Sequence, residues 1–166
     1  MTRTKEQPFQ PRPALVEQPQ RSRPACILIA EDDPEDRMLT QDALDESRIA
    51  NRFHFVEDGE ELMDFLYNRK GYADSEEFPR PALILLDLNM PRKDGREALQ
   101  EIKDHPRLRR IPVVVLTTSK AEEDIMRTYN LGVNSFITKP VTYEGLVEVM
   151  NTLSKYWFEI VKLPEQ

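Results

Sequence analysis

The sequence predicts an α/β domain built around a doubly wound parallel sheet of five strands, and three observations lead to it. Short apolar runs recur along the chain without polar alternation, which is typical of strands buried on both faces. Segments with helical periodicity separate these runs, as right-handed crossovers between parallel strands require. Several runs end in polar residues, at the edge where open α/β sheets place a ligand crevice. We therefore expect a flavodoxin-like fold with strand order 2-1-3-4-5 and helices on both faces.

The predicted strands are short and mostly apolar. The central strand covers 82–86 and ends abruptly in the carboxylate of Asp87. Pro91 and the pair Asp94-Gly95 then force the chain to turn. The other predicted strands cover Cys26–Ala30, 53–56, 111–116 and Ser135–Thr138.

Five helices are predicted between and after these strands. Asp33-Pro34 supplies an N-cap and a first-position proline for a helix that reaches about residue 47. A capping box at 58–61 opens the second helix, and another capping box at 119–122 opens the fourth helix. Gly132 ends the fourth helix. The third and fifth helices cover about 96–104 and 142–160. The predicted inward side chains are Met38, Leu39, Ala43, Leu44, Leu62, Phe65, Leu66, Ala98, Leu99, Ile102, Leu146, Val149, Met150, Leu153 and Trp157.

Two segments do not follow this pattern. Residues 1–24 carry five prolines, several glutamines and arginines and few apolar residues, so they bury too little surface to offset the entropy of ordering. They are either a flexible tail or a docking arm that a partner or dimerisation orders. Residues 68–80 lack periodicity and contain Gly71 and Pro79, which predicts a long exposed loop insertion. Residues 25–166 then form one domain with an extended C-terminal helix and tail.

The bulk composition limits the class of protein. A chain of 166 residues suits one core, and 32% charged with 39% apolar residues is an ordinary soluble composition. The net charge of -7 argues against a nucleic-acid binder. Cys26 is the only cysteine, which fits a reducing compartment. No apolar stretch approaches the roughly 20 residues that span a bilayer. We expect a cytoplasmic protein with neither a nucleic-acid nor a membrane partner.

The polar residues at the strand ends predict the chemistry. Strands 1 and 3 are neighbours in this topology, so Glu31 and Asp32 should lie close to Asp87. Three carboxylates together are costly without a cation, and Mg²⁺ prefers such oxygen ligands. Thr117 and Lys139, at the ends of strands 4 and 5, complete a ring that suits transfer of a phosphoryl group to a carboxylate.

Each of these residues has a simpler interpretation. The acids after strand 1 are favoured at any helix N-terminus, Thr117 suits a strand end, and Lys139 suits a surface. The joint placement at four strand ends favours the functional reading. His54 and His105 have no partner at metal-ligand or triad spacing, so we expect them to be surface or packing residues.

Four blocks in sequence order resemble the receiver domain of two-component response regulators over residues 25 to about 160. They are 27–34, 85–91 with Asp94-Gly95, 115–118 and 136–140. The resemblance implies that Asp87 is the phosphoacceptor, Thr117 the switch hydroxyl and Lys139 the partner of the acyl phosphate. It also implies an aromatic switch at Phe136 and a candidate cis bond before Pro140.

The same resemblance implies a bound Mg²⁺ or Mn²⁺. Its ligands would be Asp32, Asp87, the backbone carbonyl of Asn89, and Glu31 through water. Two positions depart from the common pattern of the family. Glu31 stands where many members have aspartate, and Phe136 lacks the hydroxyl of a tyrosine.

A narrower resemblance concerns the partner. The 68–80 insertion, Leu88-Asn89 and the ending 156–164 are similar to the single-domain regulators of bacterial and cyanobacterial phytochromes. It implies a phytochrome-type sensor histidine kinase as phosphodonor, and a dimer. Apolar residues left over on the last helix support a homodimer through the helix 4–strand 5–helix 5 face and the C-terminal region. These residues are Val147, Tyr156, Phe158 and Val161.

These signals predict a single-domain response regulator that signals by conformational change and protein association, because no effector domain follows residue 166. We expect no enzyme activity beyond Mg²⁺-dependent self-phosphorylation from small donors and autodephosphorylation. Alternatives are a phosphate relay or sink without its own output, a degenerate scaffold, and an aspartyl-nucleophile phosphatase. The phosphatase would have a second aspartate where Asn89 stands. A flavin-binding flavodoxin fits less well, because the acidic loop after strand 1 repels phosphate.

Overall fold

The structure is a computed structural model that describes residues 26–47, 52–118 and 121–156, and it confirms the predicted sheet. Five parallel strands run in the order β2-β1-β3-β4-β5. Their bounds are β1 Cys26–Ala30, β2 Arg52–Val56, β3 Leu83–Leu86, β4 Val113–Thr117 and β5 Ser135–Thr138.

Helices cover both faces of the sheet, also as predicted. Their bounds are α1 Pro34–Glu46, α2 Gly59–Leu66, α3 Gly95–Asp104, α4 Glu122–Asn130 and α5 Tyr143–Ser154, with short 3₁₀ turns at Lys70–Tyr72 and Leu108–Arg110. Side chains of α2 and α3 join one apolar cluster, and side chains of α1 and α5 join a second. No helix in the described ranges is long and apolar enough to cross a bilayer.

The three central strands, β1, β3 and β4, are apolar almost throughout because each one feeds both clusters. Leu28 of β1 points into the cluster under α2 and α3, whereas its neighbours Ile27 and Ile29 point into the cluster under α1 and α5. Successive residues of a strand face opposite sides, so a sheet covered on both faces needs an apolar residue at every position. This is why the strands were the most predictable elements of the chain.

Helix starts follow the predicted caps at α1 and α2, and α3 has a cap at Asp94, where the sequence predicts only a turn. Asp33, Asp58 and Asp94 accept backbone N–H groups at the starts of α1, α2 and α3. In a capping box, the Glu61 carboxylate would accept the N–H of the cap residue Asp58. It accepts the N–H of Glu57 instead, at 2.8 Å.

The observed start of α4 lies two residues after the predicted one. The helix begins at Glu122, and Ala121 occupies the N-cap position without a side-chain hydrogen bond. Ser119, the expected cap, lies outside the described residues. Gly132 follows the end of α4 at φ +90°, as a glycine stop requires.

Two predictions about core contacts are also wrong. Met38 is 59% exposed, because it lies about 200° around α1 from Thr40, which is buried with Ala43 and Leu44. Val147, expected to lie outside the core of α5, packs against the second cluster. Tyr156 is half exposed as expected, whereas Trp157, Phe158 and Val161 lie outside the described residues. The candidate cis bond before Pro140 is trans, the isomer of lower energy.

The 68–80 insertion is more than an exposed loop. Tyr72 and Phe78 fold back against the core, with the Phe78 ring centroid 5.7 Å from that of Phe65 and 5.3 Å from that of His54. Arg52 of β2 donates to the carbonyl of Glu77 at 3.2 Å. The insertion therefore packs beside β2, an edge strand of the sheet, through the side chains of Arg52 and His54.

His54 is a packing residue, and its position predicts an effect of pH on stability. Its Nε2 atom is buried without a hydrogen-bond partner among the described residues. Burial, helped by the nearby charge of Arg52, lowers the pKa of His54 below the ordinary value. The unfolded chain therefore binds this proton more readily, and the folded state loses stability as pH falls below about 6.5.

His54→Phe should remove this pH-dependent loss. We expect the free energy of unfolding of the variant, relative to the parent, to rise between about pH 8 and about pH 5.5. Urea denaturation across this range measures the difference, and carboxylates that titrate in both proteins cancel. A difference that stays constant with pH would contradict the lowered pKa.

Candidate functional site

The carboxyl ends of four strands lie side by side at one end of the sheet. Ala30, the last residue of β1, pairs with Leu86, the last residue of β3, so Glu31 and Asp87 leave the sheet side by side. Thr117 ends β4, and its carbonyl accepts the N–H of Lys139 at 2.8 Å. The register of parallel strands thus brings together the side chains that the sequence predicts to converge.

Both carboxylate oxygens of Asp87 are engaged. The hydroxyl of Thr117 donates to Asp87 Oδ1 at 2.9 Å, and the ammonium of Lys139 donates to Asp87 Oδ2 at 2.9 Å. Asp87 is 6% exposed and Thr117 is fully buried, so these contacts form in a site with little water. The carboxylate is therefore held by a hydroxyl on one oxygen and by a cation on the other.

Lys139 binds two further carboxylates. Its Nζ atom donates to Glu31 and to Asp36 Oδ2, the latter at 3.1 Å. Asp36 was not identified from the sequence. It lies in the first turn of α1, where an acidic residue is common, and its contact with Lys139 joins residues 103 positions apart. The site therefore contains a fourth acid beside the three predicted ones.

Burial and ion pairing together set the pKa values of Glu31 and Lys139 in this cluster. Removal from water raises the pKa of Glu31 to about 7, with the charge of Asp87 adding to the shift and Lys139 opposing it. Burial alone would lower the pKa of Lys139, but its hydrogen bonds to Glu31 and Asp87 outweigh it and raise the pKa above the ordinary value. Lys139 is therefore an ammonium at neutral pH, surrounded by more acids than it neutralises.

The acidic cluster fits a divalent cation. Carboxylate oxygens of Glu31, Asp32 and Asp87 lie within 4.8 Å of one another, and all three are oxygen donors of the kind that Mg²⁺ prefers. Asp32 is half-buried, which leaves one side of the cluster open to water.

Asn89 lies at the same cluster. Its N–H donates to Asp87 Oδ1 at 3.1 Å, and its side-chain amide lies 3.4 Å from the hydroxyl of Thr117. Backbone and side chain of Asn89 therefore both face the site.

The loop after Asp87 is packed tightly on the start of α3. Gly95 donates its N–H to the carbonyl of Leu88 at 2.9 Å. A Cβ atom at Gly95 would lie 2.3 Å from the carbonyl oxygen of Asp87 and 2.7 Å from Cα of Leu88. Since real Cβ atoms do not approach backbone this closely, the position requires glycine.

A second contact missed from the sequence links this loop to α4. The guanidinium of Arg96 donates to both carboxylate oxygens of Asp124, at 2.6 Å and 2.5 Å, and lies 3.5 Å from the carbonyl of Leu88. These partners lie on different helices, so no local pattern reveals them.

Phe136 lies away from the carboxylates. Its ring packs half-buried against the cluster under α2 and α3, and its N–H donates to the hydroxyl of Tyr129 on α4 at 3.3 Å. The predicted aromatic position is therefore connected to α4 rather than to the acids.

Comparison with known proteins gives close matches over most of the chain. The response regulator receiver domain family matches residues 27–151. Response regulator Rcp1 of Synechocystis sp. is 45% identical over 141 residues, which are 85% of this chain and 94% of the relative. The crystal structure of the phosphorylated cyanobacterial phytochrome response regulator RcpA is 43% identical with a TM-score of 0.79, over 86% of this chain and 99% of that chain. The crystal structure of the Mn²⁺-bound form of response regulator Rcp1 is 45% identical in sequence, with a TM-score of 0.78. The match covers 86% of this chain and 100% of that chain.

Proposed function

This chain belongs to the response regulator receiver domain family, and we propose that it accepts a phosphoryl group on Asp87 from a sensor histidine kinase. The observation that carries the proposal is the pair of contacts on Asp87, from the Thr117 hydroxyl and the Lys139 ammonium, both at 2.9 Å. A receiver used only as a scaffold needs neither. The similarity to phytochrome response regulators supports a phytochrome-type kinase as the donor.

The residues divide the transfer between them. An oxygen of Asp87 attacks the phosphorus of a phosphohistidine, so a P–O bond forms while the P–N bond breaks. The electron pair of that bond leaves with the imidazole nitrogen, which takes up a proton. Thr117 and Lys139 then donate to oxygens of the transferred group, because both already contact Asp87 and need only small side-chain movements.

The acids would hold the divalent cation that we propose for this chemistry. Asp32, Asp87 and Glu31, with the backbone carbonyl of Asn89, are the proposed ligands of Mg²⁺ or Mn²⁺, and the Mn²⁺-bound relative supports the choice. When bound, the ion neutralises charge on the phosphoryl oxygens. Glu31 is already paired with Lys139, which supports a contact between Glu31 and the metal ion through a water molecule rather than directly.

The output is a change of surface. Movement of Thr117 toward the phosphoryl group opens space at the end of β4, and Phe136 on the neighbouring strand is the proposed second switch. Since the Phe136 N–H bonds to Tyr129, a change at β5 reaches α4 directly. No activity on outside substrates is proposed, because Asn89 stands where a phosphatase would place an acid.

The surface around β5 supports homodimer formation. Its exposed apolar side chains lie on α4, on the loop after β5, and on and beyond α5. They are Tyr129, Val141, Tyr143 and Tyr156. We propose that two copies associate through the α4–β5–α5 face and the C-terminal region, in the cytoplasm, with residues 1–24 as a tail and 25–166 as the receiver. A monomeric phosphate relay is the second candidate, and the following experiment separates the two.

Asp87→Asn should abolish phosphorylation by acetyl phosphate in the presence of Mg²⁺. The amide is a far weaker nucleophile than the carboxylate, so intact-mass spectrometry should show one added, hydroxylamine-sensitive phosphoryl group only in the parent. Asp42→Asn, an exposed aspartate on α1, is the matched control and should be phosphorylated as the parent is. Phosphorylation of Asp87→Asn to the same extent as the parent would contradict the assignment of Asp87 as the phosphoacceptor.

Sedimentation velocity on the same samples tests the output. A larger species that requires phosphodonor and Asp87 supports association as the signal. A dimer that is constant in every sample indicates a structural dimer, and a monomer in every sample supports the relay.

A further inference from the structure

Asp36 is the one carboxylate bonded to Lys139 that the metal cluster does not use. The ammonium has three N–H donors and three carboxylate partners, which are Glu31, Asp36 and Asp87. Glu31 and Asp87 also contribute to the group of acids that fits a cation. Among the described residues of the site, the carboxylate of Asp36 therefore binds Lys139 alone.

Asp36 is placed by a rigid element. The N-cap carboxylate of Asp33 accepts the N–H groups of Glu35 and Asp36, at 2.8 Å and 3.1 Å, which fixes the first turn of α1. The side chain of Asp36 is 41% exposed, against 5% for Glu31 and 6% for Asp87. Asp36 thus holds the outer side of the ammonium, and the two buried acids hold its inner side.

We propose that Asp36 is a positioning residue for phosphoryl transfer, which draws Lys139 outward and limits its hold on the attacking oxygen of Asp87. This inference rests on the proposed function. Without Asp36, the ammonium would pair more closely with Asp87, which it now contacts at 2.9 Å, and this pairing lowers the nucleophilicity of the carboxylate. Asp36 shares the ammonium and keeps it within reach of the arriving phosphoryl oxygens.

The kinetic test compares substitutions at Asp36 with a matched loss of charge next to it. Asp36→Asn should slow phosphorylation by acetyl phosphate at saturating Mg²⁺ about three- to tenfold, since a charged hydrogen bond at a partly exposed site is being weakened. Asp36→Glu keeps the charge and should retain most of the rate. Glu35→Gln removes one charge from the exposed side of the same turn and should leave the rate unchanged.

A second test needs neither metal nor phosphodonor. Urea midpoints of Asp36→Asn, Lys139→Met and the double variant, measured in a chelating buffer, form a double-mutant cycle. Asp36→Asn should lower the midpoint in the parent background, and it should raise the midpoint or leave it unchanged once Lys139 is gone, because it then removes a repulsive charge and breaks no ion pair. This coupling does not depend on phosphorylation.

The outcomes distinguish failure of the Asp36 inference from failure of the proposed function. Equal slowing by Glu35→Gln would overturn the inference in favour of a general effect of charge, and an unchanged rate in Asp36→Asn would overturn it directly. Additive urea shifts would show that Asp36 does not act through Lys139. A parent that is not phosphorylated at all would instead reject the proposed function, and the inference would fall with it.

Discussion

Gly95→Ala is expected to lower the free energy of unfolding by about 3 kcal/mol or more and to prevent phosphorylation of Asp87. The new methyl group would meet the carbonyl oxygen of Asp87 at 2.3 Å and Cα of Leu88 at 2.7 Å. Both are backbone atoms, so no side-chain rotation relieves the contact. The start of α3 and the loop after Asp87 must separate, which also displaces the carboxylate from Thr117 and Lys139.

Gly71→Ala is the matched control for this experiment. A Cβ atom at Gly71 meets no atom within 4 Å, so its stability should stay within about 0.5 kcal/mol of the parent. Urea denaturation gives the stabilities, and mass spectrometry after incubation with acetyl phosphate gives the extent of phosphorylation. Equal behaviour of the two variants would show that the close approach at Gly95 does not constrain the site.

Lys139→Met should lower the free energy of unfolding by about 3 kcal/mol in the absence of divalent metal. The side chain of Lys139 is 13% exposed and forms ion pairs with three carboxylates, of which Glu31 and Asp87 are buried. Without the ammonium these acids repel each other in a site with little water. Mg²⁺ should restore part of the loss, because a cation bound to the same acids supplies the missing positive charge.

Lys155→Met controls for the change from lysine to methionine. Lys155 is exposed at the end of α5, so its removal should leave stability nearly unchanged with or without Mg²⁺. The measurement is a set of urea denaturation curves at several Mg²⁺ concentrations. A Lys139→Met protein as stable as Lys155→Met in chelating buffer would contradict the central role of Lys139 in neutralising the acids.

The fold was predictable because its strongest signals are local. Ile27 to Ile29 must be apolar because the strand feeds both clusters. Asp33 and Asp58 mark helix starts because each accepts an N–H group within three residues of itself. The side of α1 that faces the core was predicted only in part. Met38 fits an apolar stripe by composition, yet contacts with the sheet place Thr40 inward instead.

The site was predictable to the extent that topology alone brings strand ends together. Glu31, Asp87, Thr117 and Lys139 follow from strand order. Asp36 and the pair Arg96–Asp124 do not, since their contacts depend on how helices rotate and pack. The metal ligation by Asn89 and the switch role of Phe136 stay predictions.

The packing of the insertion on α2 has a consequence for shortening the chain. The rings of Tyr72 and Phe78 lie beside that of Phe65, with centroid distances of 5.1 Å and 5.7 Å. Deletion of 68–80 would therefore expose apolar surface of the cluster under α2 and α3 to water. The insertion is part of the core and cannot be removed without loss of stability.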